Sequence, residues 1–82
     1  MKNTCILGIL ISNRTTEISR VQDTLTKFGC SIRTRLGLHD VEDGSRGGII
    51  LLELTGDPEE FLKLQNELLA IDGVEVKKMV FG

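Results

Sequence analysis

Two unbroken apolar segments, each followed by an amphipathic helical pattern, most constrain what this chain can fold into. Residues 4–12 (TCILGILIS) and residues 49–55 (IILLELT) are rich in β-branched and aliphatic side chains, which is typical of strands buried on both faces. A further strand pattern follows each helical pattern. The predicted order of elements is therefore β-α-β-β-α-β, in two halves of similar length.

The two helical patterns carry clear boundary signals. The first covers residues 16–28, and Gly29 supplies the left-handed residue expected just after its end. The second starts at Asp57, a good N-cap, which Pro58 follows at the first helical position and Glu60 at the capping-box position. Gly73 ends this second helix. The two apolar stripes comprise Ile18, Val21, Leu25 and Phe28 in the first helix, and Phe61, Leu64, Leu68 and Ile71, flanked by Leu62 and Leu69, in the second.

The other two strand patterns complete a single sheet. Residues 30–39 (CSIRTRLGLH) alternate apolar and polar side chains, which predicts a half-buried strand at a sheet edge. Residues 40–48 (DVEDGSRGG) predict a hairpin loop, and residues 74–81 (VEVKKMVF) a final strand. Right-handed crossovers place both helices on one side of the antiparallel sheet. Residues 1–82 are thus expected to form one α+β domain, a ferredoxin-like βαββαβ sandwich with strand order 4-1-3-2.

Two helices cover only one face of a four-stranded sheet, so the second face must meet solvent or another protein. Hydrophobicity assigns to the covered face Cys5, Leu7, Ile9, Ile11, Ile32, Leu36, Leu38, Ile50, Leu52, Leu54, Val74, Val76 and Val80. The face left without helices then carries Ile6, Leu10, Ile49, Leu51, Met79 and Phe81, beside Arg33, Arg35, Glu53, Glu75 and Lys77.

The aliphatic residues on the uncovered face form a patch at or beyond what monomers usually expose. We therefore expect a homodimer or higher oligomer built through the sheet, with Glu53 pairing with Arg33 or Arg35 at its rim. The predicted interface residues are Ile6, Leu10, Arg33, Arg35, Ile49, Leu51, Glu53, Met79 and Phe81. The alternative is a robust monomer with an unusually apolar surface.

Composition narrows the class of protein further. The chain has 82 residues and a formal net charge of −2, which is not the basic charge of a protein that grips nucleic acid by itself. No apolar run approaches the roughly 20 residues that span a bilayer, and with only two cysteines a disulfide scaffold is not expected. We therefore expect a cytoplasmic protein that binds neither membranes nor, directly, nucleic acid.

Two groups of polar residues are candidate ligand contacts. Asn13, Arg14 and Thr15 follow the first strand and precede the first helix, where backbone N–H groups and a guanidinium can hold an anion. The plainer interpretation of this turn is a helix cap with an exposed arginine. Arg35 and His39, on the second strand with Arg33, can bind a carboxylate or phosphate, or form ion pairs within the interface.

Catalytic and metal-binding patterns are weak in this sequence. No catalytic residues emerge, and no cofactor is identified. His39 is the only histidine, and by strand rise it lies roughly 30 Å from Cys30. A metal site using both would need residues from another subunit, so no metal site is predicted.

Several segments together resemble a known family. The runs ISNRTTEISRVQDTLTKFG, IRTRLGLHD, LTGDPEE and IDGVEVKKMVF, with the Gly-Gly pair that opens the third strand, resemble the iron-only hydrogenase system regulators over essentially the whole chain. That family is similar to the ACT domain and to the C-terminal domain of the nickel-responsive repressor. Both are ferredoxin-like, ligand-sensing modules that oligomerise through their sheets. The repressor domain holds nickel with several histidines and a cysteine, so nickel sensing is not expected here.

The resemblance and the residues together imply a non-enzymatic, ACT-like regulatory domain. We expect a homo-oligomer that senses a small ligand at a subunit boundary, with Asn13, Arg14, Thr15, Arg35 and His39 as polar contacts. Two other functions stay open. One is a small phosphate-handling enzyme of the acylphosphatase type, which ISNRTT loosely echoes, and the other is a purely structural protein-interaction module.

Overall fold

The computed structural model describes residues 4–12, 17–39 and 48–82. Its elements are β1 (Thr4–Ile11), α1 (Ile18–Lys27), a short 3-10 turn (Gly29–Ser31), β2 (Ile32–His39), β3 (Gly48–Leu54), α2 (Pro58–Leu69) and β4 (Val74–Phe81). The predicted turn at residues 13–16 and the predicted hairpin loop at residues 40–47 lie outside the described residues.

The four strands form one sheet in the order β2-β3-β1-β4, in which every neighbouring pair is antiparallel. This is the predicted order 4-1-3-2, counted from the opposite edge. The α+β ferredoxin-like fold is therefore confirmed. β1 and β3 occupy the centre of the sheet, and β2 and β4 are its edges. No helix in the described part of the chain is long and apolar enough to cross a membrane.

Helix α1 ends differently from the prediction. Among the described residues, the glycines with a left-handed backbone are Gly56 (φ 95°) and Gly73 (φ 84°), so Gly29 does not have this conformation. Instead, the N–H of Phe28 caps the helix by donating to the carbonyl of Thr24, and the chain enters the 3-10 turn. This turn uses three residues, and β2 consequently begins at Ile32 rather than at residue 30.

Helix α2 begins with the predicted N-cap and proline, whereas Glu60 contacts Lys63 rather than closing the predicted capping box. A carboxylate oxygen of Asp57 accepts a hydrogen bond from the N–H of Glu59 at 2.9 Å, and Pro58 occupies the first helical position. Glu60 lies 3.6 Å from the ammonium group of Lys63 on the next turn. The N-cap, the proline and the acidic first turn each satisfy or complement N–H groups that have no partner within the helix.

The hydrophobic core lies between the two helices and one face of the sheet. Its buried members are Cys5, Leu7, Ile9, Ile11, Val21, Leu25, Phe28, Ile50, Leu52, Leu54, Leu64, Leu68 and Ile71, with Ile32, Phe61, Val74 and Val76 packed against them. Val80 and Ile18, both predicted to be buried, are not in the core. Val80 is 59% exposed near the end of edge strand β4, and Ile18 is exposed at the first residue of α1.

A β-bulge in β2 reverses part of the predicted assignment of faces. Ile32 pairs with Leu54, but the next pair is Thr34 with Glu53, so Arg33 is an extra residue without a counterpart on β3. Because side chains alternate along a strand, one extra residue moves every later side chain of β2 to the opposite face.

Leu36 and Leu38 therefore lie on the face without helices rather than in the core, and they are 52% and 44% exposed. Arg35, predicted on that face, instead pairs in register with buried Leu52 and donates a hydrogen bond to the side-chain oxygen of Gln22 on α1. The predictions for these three side chains were wrong, because they assumed that the strand alternates regularly from residue 30 to residue 39, without a bulge.

Candidate functional site: the helix-free face of the sheet

The side of the sheet opposite the helices, here called the helix-free face, draws residues from all four strands. By register it contains Thr34, Leu36 and Leu38 of β2, Ile49, Leu51 and Glu53 of β3, Thr4, Ile6, Gly8 and Leu10 of β1, and Glu75, Lys77, Met79 and Phe81 of β4. Except for Arg33 and Arg35, every residue predicted for the oligomer interface lies on it.

Cross-strand neighbours on this face form three rows. The first row runs Leu38, Ile49, Leu10 and Glu75 across the sheet. The second row runs Leu36, Leu51, Gly8 and Lys77, and the third runs Thr34, Glu53, Ile6 and Met79. The aliphatic side chains are concentrated on β2, β3 and β1, whereas the charged residues Glu75 and Lys77 lie on β4. The helix-free face thus has an apolar centre and a charged margin.

Leu51 lies at the middle of the apolar centre. A methyl group built on Gly8 would stand 3.6 Å from a terminal carbon of Leu51, so this leucine extends over the glycine on the neighbouring strand. Leu51, Ile6 and Leu10 are half-buried by such neighbours, while Leu36 and Leu38 on the edge strand are more open. This surface is more apolar than the sequence predicted, because the bulge adds Leu36 and Leu38. Its six contiguous aliphatic residues are Ile6, Leu10, Leu36, Leu38, Ile49 and Leu51.

Polar contacts surround this surface on two sides. The hydroxyl group of Thr34 donates a hydrogen bond of 2.8 Å to a carboxylate oxygen of Glu53, and Lys77 lies 3.7 Å from Glu75 on the same strand. The prediction that Glu53 pairs with Arg33 or Arg35 was wrong, because the bulge brings Thr34 opposite Glu53. A polar rim around an apolar centre is the usual anatomy of a protein–protein interface.

The residues predicted as ligand contacts are only partly placed. Asn13, Arg14 and Thr15 lie outside the described residues, and for His39 only the backbone is described. Ile11 and His39 both pair with Gly48, so β1 and β2 finish at the same end of the sheet, on either side of β3, with roughly 10 Å between their backbones. The end of β1 at Ile11 therefore lies at the same end of the sheet as His39. Arg35 is four residues earlier on β2, on the helix side.

A groove on the helix side was not singled out from the sequence. It encloses about 350 Å³ and is lined by Lys27, Phe28, Cys30, Ser31, Glu60, Lys63 and Glu67. The ammonium group of Lys27 binds the Glu67 carboxylate across this groove at 2.9 Å and lies 5.5 Å from the centre of the Phe28 ring. The charged groups of Lys27 and Glu67, which line the groove, are thus already paired with each other.

Neither cysteine lies in a recognisable metal site. Cys5 is buried on β1, where burial raises the pKa of its thiol and nearby Lys78 partly opposes that shift, while Cys30 is exposed on the 3-10 turn. Within the described residues, no three histidine, cysteine or acidic side chains are grouped closely enough to hold a metal ion.

Comparisons with known proteins bear on this architecture. No protein-family model and no curated protein sequence matches the chain. Among solved structures, it is similar to the uncharacterized protein TM1266 from Thermotoga maritima, with 28% identity, a TM-score of 0.84, and coverage of 99% of this chain and 100% of that one.

Two more distantly similar structures, both of regulatory proteins, share the fold of this chain. The regulatory subunit of aspartate kinase from Thermus flavus is 18% identical with a TM-score of 0.57, and the match covers 99% of this chain and 52% of that one. CPII, a nitrogen regulatory PII-like protein from Thiomonas intermedia K12, is 16% identical with a TM-score of 0.57, over 99% and 94% of the two chains. The chain therefore has the ferredoxin-like fold found in ACT-like and PII-like regulatory proteins.

Proposed function

We propose that this chain is a non-enzymatic regulatory domain that self-associates through its helix-free face. The observation that supports this most is the contiguous apolar surface formed by Ile6, Leu10, Leu36, Leu38, Ile49 and Leu51. No part of the described chain covers these side chains, although they occupy the middle and one edge of the sheet. A second copy of the same face is the occupant that matches this surface in area and in polarity.

The energetics favour a covered face. Each 100 Å² of apolar surface removed from water is worth about 2.5 kcal/mol before the costs of association, so two such faces in contact gain many times the thermal energy. Two sheets packed face to face interdigitate the side chains of their inner faces. In this arrangement Leu51 lies near the centre of the contact, and Glu53 and Lys77 lie toward its rim.

The proposal includes a ligand site at the end of the sheet where β1 and β2 finish together. Asn13, Arg14, Thr15, Arg35 and His39 supply its polar groups, and an anionic or carboxylate-bearing small molecule is the ligand class that suits them. The structurally similar CPII was determined with ADP, AMP and bicarbonate bound, which fits ligand sensing on this fold. A ligand that prefers the oligomer stabilises it by mass action.

The biological setting of the proposal comes from the sequence resemblance. The segments quoted above resemble the iron-only hydrogenase system regulators, so we place the domain in that regulatory family. The regulatory subunit of aspartate kinase and the PII-like protein support the broader assignment, because both pair this fold with regulation.

Sedimentation velocity on purified protein at micromolar concentration tests the assembly. We expect the wild type to sediment as a dimer or larger species and Leu51→Glu to sediment as a folded monomer, since a carboxylate in the centre of an apolar contact stays desolvated and unpaired. Ile18→Glu is the matched control, because Ile18 is an exposed aliphatic residue on α1, away from this face. A wild-type monomer would contradict the proposal.

The ligand part of the proposal has a separate test. Thermal melting of the wild type with nucleotides, bicarbonate and carboxylic acids should reveal at least one compound that raises the melting temperature. Arg14→Ala should abolish this rise, while Arg20→Ala, which removes an exposed arginine of α1, should retain it. The absence of a rise with every compound, in a protein that still self-associates, would contradict ligand sensing and favour a structural interaction module.

A further inference from the structure

A second uncovered surface runs along β4 and is separate from the apolar centre of the helix-free face. In the sheet order, β4 pairs with β1 on one side and forms the edge of the sheet on the other. Met79, Val80 and Phe81 are all exposed large hydrophobic residues at the end of this strand. They alternate between the two faces of the sheet, so covering one face would not bury all three.

The pairing of β4 with β1 shows which backbone N–H and C=O groups of β4 point outward from the free edge of the sheet. The N–H of Ser12 donates to the carbonyl of Gly73 at 2.8 Å, in the register that continues through β1 and β4. Because antiparallel pairs alternate, the N–H and C=O groups of the odd-numbered residues of β4 point to β1. Those of Val76, Lys78 and Val80 consequently point away from the sheet, where another strand could pair with them.

The opposite edge is less suited to pairing. β2 contains the bulge at Arg33, and bulges protect edges by interrupting the regular row of donors and acceptors. β4 pairs with β1 over eight residues without a register shift, so its free edge is regular. Lys77 and Lys78 in its middle discourage pairing with an arbitrary strand, and a partner strand must therefore present a carboxylate there.

Helix α2 carries exposed apolar side chains on its side away from α1. Glu67 marks the side of α2 that faces α1, because it binds Lys27 there. At 3.6 residues per turn, Leu62 and Leu69 lie on the opposite side of the helix, and both are exposed. α1 contacts β2 through Gln22 and Arg35, so the side of α2 away from α1 is the side toward the β4 edge.

We propose that β4 pairs antiparallel with β4 of a second copy of this chain, about a two-fold axis at Val76, to form a continuous eight-stranded sheet. This register sets Glu75 opposite the partner's Lys77 and Lys77 opposite the partner's Glu75. Glu75 is the acidic residue of β4, and this is the two-fold register that places it opposite a lysine on the same face. A two-fold axis at Lys77 or at Lys78 would instead place like charges in contact.

The outward-pointing groups fit this register. Val76 would exchange hydrogen bonds with the partner's Val76, and the N–H of Lys78 would donate to the partner's Val74 carbonyl. Glu75 and Lys77 then occupy the positions between the hydrogen-bonded pairs, where opposing side chains come closest. The apolar end of β4 extends past this overlap toward the turn that follows the partner's α2, where exposed Leu69 is nearby in sequence. This pairing goes beyond the proposed function, because it adds a second interface, along the β4 edge, to the one formed by the helix-free face.

Leu51→Glu is expected to be monomeric at micromolar concentration, so charge reversal in this background tests the β4 pairing at millimolar concentration, without the contribution of the helix-free face. In that background, Glu75→Lys alone and Lys77→Glu alone should each weaken the dimer by about tenfold or more, because each sets two like-charged pairs in contact. An equimolar mixture of the two charge-reversed proteins should form a heterodimer, since both cross-strand pairs are then opposite in charge. Native mass spectrometry distinguishes the heterodimer from either homodimer.

Asp23→Lys in the same background is the matched control, because it reverses an exposed acidic charge on α1 and should leave the dimer unchanged. A Leu51→Glu protein that is monomeric at millimolar concentration would overturn the β4 pairing while supporting the helix-free face as the interface. A Leu51→Glu dimer that is insensitive to both charge reversals would also overturn it. Lys78→Pro provides a second variant, since it removes an outward N–H but no hydrogen bond to β1, and should also weaken the dimer.

Discussion

Leu36 on β2 lies directly opposite Leu51 on β3, on the face of the sheet that neither helix covers. The extra residue Arg33 creates this pairing, because without it Leu36 would face the core. Arg35 would then leave its hydrogen bond with Gln22 and join the apolar face. One inserted residue thus concentrates leucines on the helix-free face and moves an arginine away from it, which strengthens the case for an interface there.

The first prediction follows from this placement. Leu52→Ala should lower the free energy of unfolding by about 2–5 kcal/mol, because Leu52 is fully buried in the core. Leu36→Ala should cost less than about 1 kcal/mol in dilute, dissociated protein, since half of that side chain already meets solvent. Urea unfolding followed by circular dichroism gives both values. Equal losses would mean that Leu36 is a core residue and that the bulge is absent.

The contrast between α2 and β2 explains how far the sequence predicts this molecule. The start of α2 depends on Asp57, Pro58 and their immediate neighbours, so local residues identify it correctly. The faces of β2 depend on its register against β3, which is set by contacts between residues about 20 positions apart. No local signal marks Arg33 as the bulged residue, and the alternation of residues 30–39 is compatible with either face. The residues of the helix-free face were therefore predicted correctly on β1, β3 and β4 and wrongly on β2.

The N-cap of α2 gives a second prediction. Asp57→Ala should reduce the free energy of unfolding by about 1 kcal/mol, because the N–H of Glu59 loses its side-chain acceptor. Asp57→Asn should retain most of the stability, since its amide oxygen accepts the same hydrogen bond. Urea unfolding of the two variants measures the difference. If Asn were as harmful as Ala, the charge of Asp57 would matter rather than its hydrogen bond.

Two glycines with open space around them give a third prediction. A methyl group on either Gly56 or Gly37 would meet no atom within 4 Å, but Gly56 has a φ of 95° whereas Gly37 has no left-handed backbone. Gly56→Ala should destabilise the fold by about 1–2 kcal/mol, because a side chain strains this conformation. Gly37→Ala should be neutral or slightly stabilising. Thermal unfolding of both variants checks the pair, and a neutral Gly56→Ala would show that the turn before α2 readily changes conformation.

The two thiols give the last prediction, which concerns pH. Burial raises the pKa of Cys5 in the folded chain, and Lys78 only partly offsets this, so the folded state binds the thiol proton more tightly than the unfolded state. The stability associated with this thiol is fully present below its ordinary pKa and is lost as the pH rises through the raised value. Cys5→Ala should therefore flatten the fall in melting temperature above about pH 9, after correction for the methyl-sized cavity that it leaves. Cys30→Ala should remove the rapidly alkylated thiol at neutral pH, because Cys30 is exposed whereas Cys5 is buried. An equal alkaline fall in the wild type and Cys5→Ala would assign the pH dependence to groups other than this thiol.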